Sequence, residues 1–590
     1  MEMAKITING QAVSVPAGTT ILQAARQAKI DIPTLCDHPA LRPAGSCRIC
    51  VVEVKGQRVL QTACTFPITG GMEILTESPR VVGARKLILD LLFSERNHYC
   101  PYCEMSGSCE LQSLGYRYGI NHWVYPTYLN PFPVDASHRY LLMEHNRCVL
   151  CGRCFRACGE LVANHTLGLR QRGARSMIHA DLGLPWGEST CVSCGTCAQV
   201  CPTGTLIDKR SAYMGRNAQM RYVESACSQC SVGCGMKIVT RSDSVLRLEG
   251  DWDTKVSGGL LCQKGRFAPL YDGRERVLRP LVRRNGRQEA AGWEEALRVA
   301  AEGLSGRKGD LGVLASSNAT TEALYLTGRL FKETLKASRI GLLNPAVSEA
   351  LGKPKGSLAD LAGSDLILLA GADPLQDQPV VAFLIKRAVD GGARLVLVDG
   401  ESNGLAPFAS MTLAMDGLDQ AVQMAERAAN PVVLYGAAVP DGAAGMLKRL
   451  QKKAAFIALE PGVNTRAAKA FGLAGTLQPA GIKALYLLLG EEAGEGAELA
   501  ERIDKDAFVV VQSCFASPLT RRADVVLPMA IWSERSGSLT NTEGRTLKVQ
   551  HAVDPAGEAK PDWEILALLA ERLGMKVGAS LEDVAASLRK

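Results

Sequence analysis

Eight cysteines crowd the stretch from Cys148 to Pro202, and they decide what this part of the chain can become. They read Cys148-x2-Cys151-x2-Cys154-x3-Cys158 and, after 32 intervening residues, Cys191-x2-Cys194-x2-Cys197-x3-Cys201-Pro202. Thiols spaced this regularly are either paired as disulfides or hold metal. Disulfide frameworks belong to small secreted domains. This chain has 590 residues and opens on MEMAKITING, which carries Glu2 and Lys5 and lacks the apolar core of a signal peptide. No apolar run approaches the ~18 residues of a membrane span. Reducing, cytoplasmic surroundings are therefore expected. Zinc needs only four thiolates in two CxxC halves, which leaves the third cysteine of each run surplus. The doubled C-x2-C-x2-C-x3-C spacing suits two [4Fe-4S] cubes.

Of the 20 cysteines, 19 fall between Cys36 and Cys262 and only Cys514 lies beyond. The first half is thus rich in ligands and the second is not, in a chain long enough for roughly three to five domains. A net charge of +7 is spread without a dense basic run, so a nucleic-acid face is excluded.

The doubled run resembles the bacterial ferredoxins, in which three close thiolates wrap one cube and the fourth reaches across to the other. That resemblance implies Cys148, Cys151, Cys154 and Cys201 on one cluster, and Cys191, Cys194, Cys197 and Cys158 on its neighbour.

Toward the N-terminus, Lys5–Ile8 and Ala12–Val15 alternate at period two around Asn9-Gly10, a two-residue hairpin signal. Thr19 or Thr20 can cap a helix with apolar positions Ile21, Ala24, Ala25 and Ala28. Cys36-x10-Cys47-x2-Cys50-x13-Cys64 follows, four thiolates that suit a planar [2Fe-2S] rhomb. Hairpin, helix and cysteine loop in that order resemble the plant-type ferredoxin β-grasp. The long first gap is similar to the N-terminal domain of the large iron–sulfur subunit of respiratory complex I.

Leu87 to Phe93 reads as helical. Beyond it, Cys100-x2-Cys103-x5-Cys109 leaves one place open on a cubane, and a neutral imidazole can fill it. Complex I carries that histidine four residues before the first cysteine, where this chain has Arg96. Here His98 stands two before, as in the NH-x-C-x2-C runs of NAD-linked hydrogenase and formate dehydrogenase subunits. Gly115 to Tyr140 shows no period and reads as a linker, and His122, His138, His145, His165 and His179 read as structural or surface residues.

Cys227-x2-Cys230-x3-Cys234-x27-Cys262 is a fifth quartet. SACSQCSVGCGMKIV and GGLLCQKGRF resemble the cluster-binding segment that opens molybdopterin oxidoreductases, and they place Lys264 where those enzymes carry a lysine between cluster and pterin. After residue 275, apolar strands alternate with helices. The strands are Leu311–Ala315, Leu366–Ala370, Leu395–Asp399, Val432–Tyr435, Phe456–Leu459, Leu485–Leu489, Phe508–Gln512 and Val525–Leu527. The helices between them include Pro379–Val389. This pattern argues for doubly wound parallel sheets. No G-x-G-x-x-G opens a helix, so no nicotinamide fingerprint is present. GADPLQDQP, ADVVLPMAIWSERSGSLTNTEGR and EAKPDWEIL look like the molybdopterin-oxidoreductase fold. No cysteine occurs between Cys262 and Cys514 to serve a pterin-bound metal. The family's closing C-terminal domain also has no counterpart before Lys590. A truncated, metal-free domain is therefore expected, with Cys514 as a core thiol.

The whole order resembles the large iron–sulfur subunit of complex I and its soluble relatives in NAD-coupled hydrogenase and formate dehydrogenase complexes. The resemblance implies a multidomain α+β and α/β chain. Its expected parts are a [2Fe-2S] ferredoxin-like domain (1–80), a His/Cys3 cluster segment (81–121) and a two-cubane ferredoxin-like domain (140–212). A [4Fe-4S] domain (220–275) and a truncated molybdopterin-oxidoreductase-like domain (276–590) follow. It implies one [2Fe-2S] and four [4Fe-4S] clusters, no molybdopterin, and no catalytic residue on this chain. FMN and NAD are expected on a flavin partner accompanied by a small [2Fe-2S] subunit. The other expected partner is a hydrogenase, formate dehydrogenase or quinone-linked module, with the complex cytoplasmic or peripheral on a membrane. The competing reading is a catalytic, formate-dehydrogenase-type pterin enzyme. An [FeFe]-hydrogenase is excluded because its catalytic cluster needs four more downstream cysteines.

Overall fold

The computed structural model describes residues 3–122, 124–126, 131–307, 309–351, 354–398, 402–475, 477–492 and 496–589. The chain divides into two compact units, Met1–Met220 and Arg221–Lys590. Among the described residues no helix is long and apolar enough to cross a membrane.

The first unit opens on the expected hairpin. Strand Met3–Ile8 pairs antiparallel with Gln11–Pro16, and Asn9 and Gly10 both take positive φ (51° and 83°), as a two-residue turn matched to strand twist requires. Strand Glu73–Leu75 returns parallel beside the first strand and pairs with Val51–Val54, the strand that follows Cys50. Of the two candidate caps, Thr20 closes a capping box with Gln23 over helix Ile21–Gln27, while the Thr19 hydroxyl turns back to the Pro16 carbonyl. Ala28 is the C-cap, just outside the helix.

The apolar run at Leu87 is the second half of a longer helix, Pro79–Glu95, which starts with Ser78 as N-cap and proline in the first turn. The supposed linker from Gly115 begins inside helix Glu110–Arg117, whose N-cap is Cys109. It also contains strand Val134–Asp135, and residues 123 and 127–130 lie outside the described part. A three-stranded sheet, ordered Leu206–Asp208, Leu141–Glu144, Val134–Asp135, closes this unit. The cysteine runs sit on two short helices, Arg153–Arg156 and Thr196–Gln199, each entered through a left-handed glycine, Gly152 and Gly195.

The second unit opens on an antiparallel sheet of Arg221–Ala226, Gly235–Arg241 and Ser244–Gly250. Behind it lie two largely parallel sheets. The five-stranded one is ordered Met411–Leu413, Arg394–Val398, Leu366–Ala370, Pro431–Tyr435, Ala455–Ala458. The seven-stranded one carries Val525–Pro528, Phe508–Ser513, Ala484–Gly490, Leu311–Ala315 and Arg339–Leu342 in parallel, with the hairpin Leu281–Arg284/Arg287–Ala290 added at one edge. Their central strands are buried throughout, which is why they read as unbroken apolar runs. Strand Leu395–Asp399 is observed as Arg394–Val398, with Asp399 outside the described residues.

Candidate metal centres

None of the 20 cysteines is in a disulfide, and most of them are buried. Among the described residues no group of three or more His, Cys, Asp or Glu is drawn tightly enough to hold a single metal ion.

Cys36, Cys50 and Cys64 are buried and Cys47 is half-buried. The Cys36 and Cys47 amides each donate to the other's sulfur at 3.4 Å. Hydrogen bonds from Cys47 and Cys64 hold the Cys36 thiol well below its usual range, and Cys64 does the same for Cys50. The partners Cys47 and Cys64 are pushed up in return. Cys36 thus lies within hydrogen-bond reach of Cys47 and Cys64, and Cys50 within reach of Cys64. Arg85, fully buried on helix Pro79–Glu95, fixes their loop: Nε donates to the Ile49 carbonyl at 3.0 Å and Nη2 to that of Val51 at 2.8 Å. Its Nη1 reaches the Tyr118 hydroxyl and Glu77, both at 2.8 Å.

His98, Cys100, Cys103 and Cys109 line one small cavity together with Phe93, Gln112, Arg147, Thr203 and Gly204. The His98 ring meets Phe93 edge-on at 5.8 Å. Burial, reinforced by Arg147 and Arg96, lowers its pKa to about 4, so the imidazole is neutral near pH 7. Its ring also hydrogen-bonds the Leu92 backbone, while among the described residues Nε2 is buried with no hydrogen-bond partner. A neutral ring with one nitrogen held and the other free has the form of a metal-ligating histidine. Burial pushes the Cys109 thiol up to about 12. Arg96, in the complex I histidine's place, is buried and donates to the His145 and Ser176 carbonyls. Gly204 fits the cavity wall because a Cβ there would lie 2.5 Å from Cys103 Sγ.

The next two groups form a repeat. Leu150 and Ser193 take positive φ of 52°, and their amides donate to Cys148 Sγ (3.3 Å) and Cys191 Sγ (3.4 Å) respectively. Burial pushes Cys148 up to about 11, with Cys201 adding to the effect. Cys151 and Cys154 are also raised by burial and by the charge of Cys201. In the other group burial takes Cys191 up to about 12, and Cys158 acts in the same direction on Cys191 and Cys197. Cys201 thus acts on the first three cysteines of the other run, and Cys158 on Cys191 and Cys197. His138 Nε2 touches Ser193 Oγ at 3.1 Å between two of these cysteines, and His145 is held between the Pro133 and Ile178 carbonyls.

In the second unit Cys227, Cys230, Cys234 and Cys262 are all buried. Burial raises Cys234, helped by the other three sulfurs, and takes Cys230 up to about 12. Gly265 packs on this group, its ideal Cβ 3.1 Å from Cys227 Sγ. Lys264 is exposed on the short helix Gln263–Arg266, and its charge eases deprotonation of Cys230 and Cys262. Cys514 stands apart in the core of the seven-stranded sheet, its thiol directed to the Ala530 carbonyl.

Parallel sheets bind ligands outside the carboxyl ends of their strands. At that end of the seven-stranded sheet Glu492 accepts from Ser316 Oγ at 2.8 Å and from Asn318 Nδ2 at 3.0 Å. Beside it, buried Arg535 lies 3.5 Å from Glu491. The crevice over the five-stranded sheet is lined by Asp373, Asp377, Gln378 and Asn403 and, among the described residues, by no lysine or arginine.

Five family models match in the order expected. They are the 2Fe-2S iron-sulfur cluster binding domain over residues 2–79, the NADH-ubiquinone oxidoreductase-G iron-sulfur binding region over 85–123 and the 4Fe-4S dicluster domain over 147–205. The molybdopterin oxidoreductase Fe4S4 domain follows over 220–271, and molybdopterin oxidoreductase over 276–429 and 409–572. The chain belongs to the molybdopterin oxidoreductase family through its C-terminal half and, taken whole, is a homologue of the large iron–sulfur subunit of the NADH-quinone oxidoreductases. An NADH-quinone oxidoreductase subunit of Rhizobium meliloti is 27% identical, over 99% of this chain and 81% of that relative. One of Thermus thermophilus is 29% identical, over 97% and 83%. The NADPH-Fe(3+) oxidoreductase subunit alpha of Geobacter sulfurreducens is 26% identical, over 97% and 81%. Among solved structures, a chain of an NAD+-reducing [NiFe]-hydrogenase in the H2-reduced state is 34% identical. It covers 36% of this chain and 90% of that one, with a TM-score of 0.33.

Proposed function

We propose that this chain is the iron–sulfur relay subunit of an NAD(P)H-linked oxidoreductase complex, carrying single electrons between a flavin-bearing partner and a second redox unit. In this reading Cys36, Cys47, Cys50 and Cys64 hold a [2Fe-2S] cluster. His98, Cys100, Cys103 and Cys109 hold a [4Fe-4S] cluster, as do Cys148, Cys151, Cys154 and Cys201, then Cys191, Cys194, Cys197 and Cys158, and finally Cys227, Cys230, Cys234 and Cys262. When bound, such clusters supply reversible one-electron transfer at potentials set by ligand charge, hydrogen bonds and burial.

The chain's own residues do the rest. Backbone amides at Leu150 and Ser193 donate to ligand sulfurs, which favours the more negative, reduced state. His98 in place of a thiolate removes one negative charge, which raises the potential of its site. Contacts between two of the segments support a neighbouring pair of sites. Arg153 forms a two-pronged pair with Glu110, beside Cys109, at 2.6 and 2.8 Å. The Glu110 amide donates to Pro202, beside Cys201, at 2.9 Å. The His98 site is thereby set against the Cys148 site.

The observation that carries the reading is the ordered run of four cluster-binding matches from residue 2 to residue 271, ahead of a C-terminal half with a single cysteine. The lack of any cysteine between Cys262 and Cys514 supports a chain without a metal–pterin centre. With no nicotinamide fingerprint on this chain, NAD(P)H and FMN belong to a partner accompanied by a small [2Fe-2S] subunit. The acceptor is a hydrogenase, formate dehydrogenase or quinone-linked unit.

The test is Cys194→Ser in the purified complex. Transfer from NADH to the physiological acceptor should fall at least tenfold while NADH oxidation by an artificial acceptor at the flavin survives. Equal loss of both activities would contradict a relay.

A further inference from the structure

Arg156 occupies a position that the cluster assignments do not explain. It ends the short helix Arg153–Arg156, between Cys154 and Cys158, which belong to different groups of four. Its guanidinium reaches across to the first cysteine loop: Nη1 donates to the Arg42 carbonyl at 2.6 Å and Nη2 to the carbonyl of Cys36 itself. The contact is returned one turn later, where Glu160 Oε2 accepts from the Arg42 amide at 2.8 Å. On its other side the loop is tied down by the Arg26–Asp37 ion pair at 2.7 Å. Arg153, by contrast, spends its charge on Glu110. Both of these Arg156 hydrogen bonds go to carbonyls, which carry no formal charge, and among the described residues its Nε is buried with no hydrogen-bond partner. A buried donor without an acceptor is costly, and a cluster's sulfur would supply the missing acceptor.

We propose that Arg156 is the positioning residue that couples the Cys36 site to the junction of the two cubane sites, holding the loop at transfer distance and raising the Cys36 site's reduction potential. The inference rests on the relay reading. One electron passes between the Cys36 side and the Cys154/Cys158 side, one being oxidised as the other is reduced, and no proton or covalent bond changes. A fixed positive charge favours the reduced form of the site it faces, and two donors on one planar group hold a loop more rigidly than an ammonium does.

The experiment compares wild type with Arg156→Gln and Arg156→Lys as full-length chains. Iron and sulfide content are measured first, then each cluster's midpoint by EPR-monitored redox titration. Arg156→Gln should keep full iron yet shift reduction of the Cys36 cluster about tenfold toward the oxidised form, or about 59 mV for one electron. The other four clusters should move by less. Arg156→Lys keeps the charge and should recover most of that shift, while freeze-quenched transfer out of the Cys36 cluster stays slowed at least threefold. A Gln variant with full iron and an unmoved Cys36 midpoint overturns the proposal, as does an equal shift of all clusters. Loss of the Cys36 cluster from both variants would make Arg156 part of the binding scaffold and would also overturn it. Failure of the relay reading looks different: wild type itself would then show no [2Fe-2S] signal.

Discussion

Arg85→Met should destabilise the first unit by about 3 to 5 kcal/mol and strip the Cys36–Cys64 group of its cluster. The side chain is fully buried and feeds the Ile49 and Val51 carbonyls on either side of Cys50 while reaching Tyr118 and Glu77. Methionine matches its length but donates nothing, so two carbonyls and a phenol lose a partner, each at roughly 1–3 kcal/mol when buried. Glu77 is 42% exposed, so its loss adds little. Against a typical stability of about 5–15 kcal/mol this is a large fraction. Urea unfolding and the [2Fe-2S] EPR signal measure both parts. A variant with unchanged unfolding and a full signal would show that the loop is held by other contacts.

The second large effect separates the crossed assignment from simple sequence proximity. Cys201 lies in the second run, yet its charge acts on Cys148, Cys151 and Cys154. Cys201→Ala should therefore lose the same EPR signal as Cys151→Ala, and about four iron atoms with it. Cys158→Ala should lose the signal that Cys194→Ala loses. If Cys201→Ala instead resembles Cys194→Ala, each run holds its own cube and the exchange is absent.

Much of this architecture was legible in the chain, for two physical reasons. Ligand spacing is local: C-x2-C-x2-C-x3-C fixes where sulfurs can point before any tertiary contact forms. Fully buried parallel strands leave continuous apolar runs, so Leu311–Ala315 and Leu366–Ala370 are found at their exact bounds. Some of the strands that escaped notice sit at or near a sheet edge and carry charge, as Leu281–Arg284 and Arg287–Ala290 do. Helix Glu110–Arg117 was hidden because it starts on a cysteine run and breaks off in a segment without period. Arg85 and Arg156 were not legible at all. The carbonyls they hold are 34 or more residues away in sequence, and an arginine among 67 basic residues carries no mark of what it will meet. His98 was legible as a candidate by spacing, but only folding shows that its Nε2 is left without a hydrogen-bond partner among the described residues.

Metal analysis of the anaerobically purified chain bears most directly on whether these sulfurs hold iron for electron passage. About eighteen iron atoms and as many acid-labile sulfides per chain are expected for one [2Fe-2S] and four [4Fe-4S] clusters, with molybdenum and tungsten far below one. Zinc in place of iron, or molybdenum or tungsten near one per chain, would contradict the account.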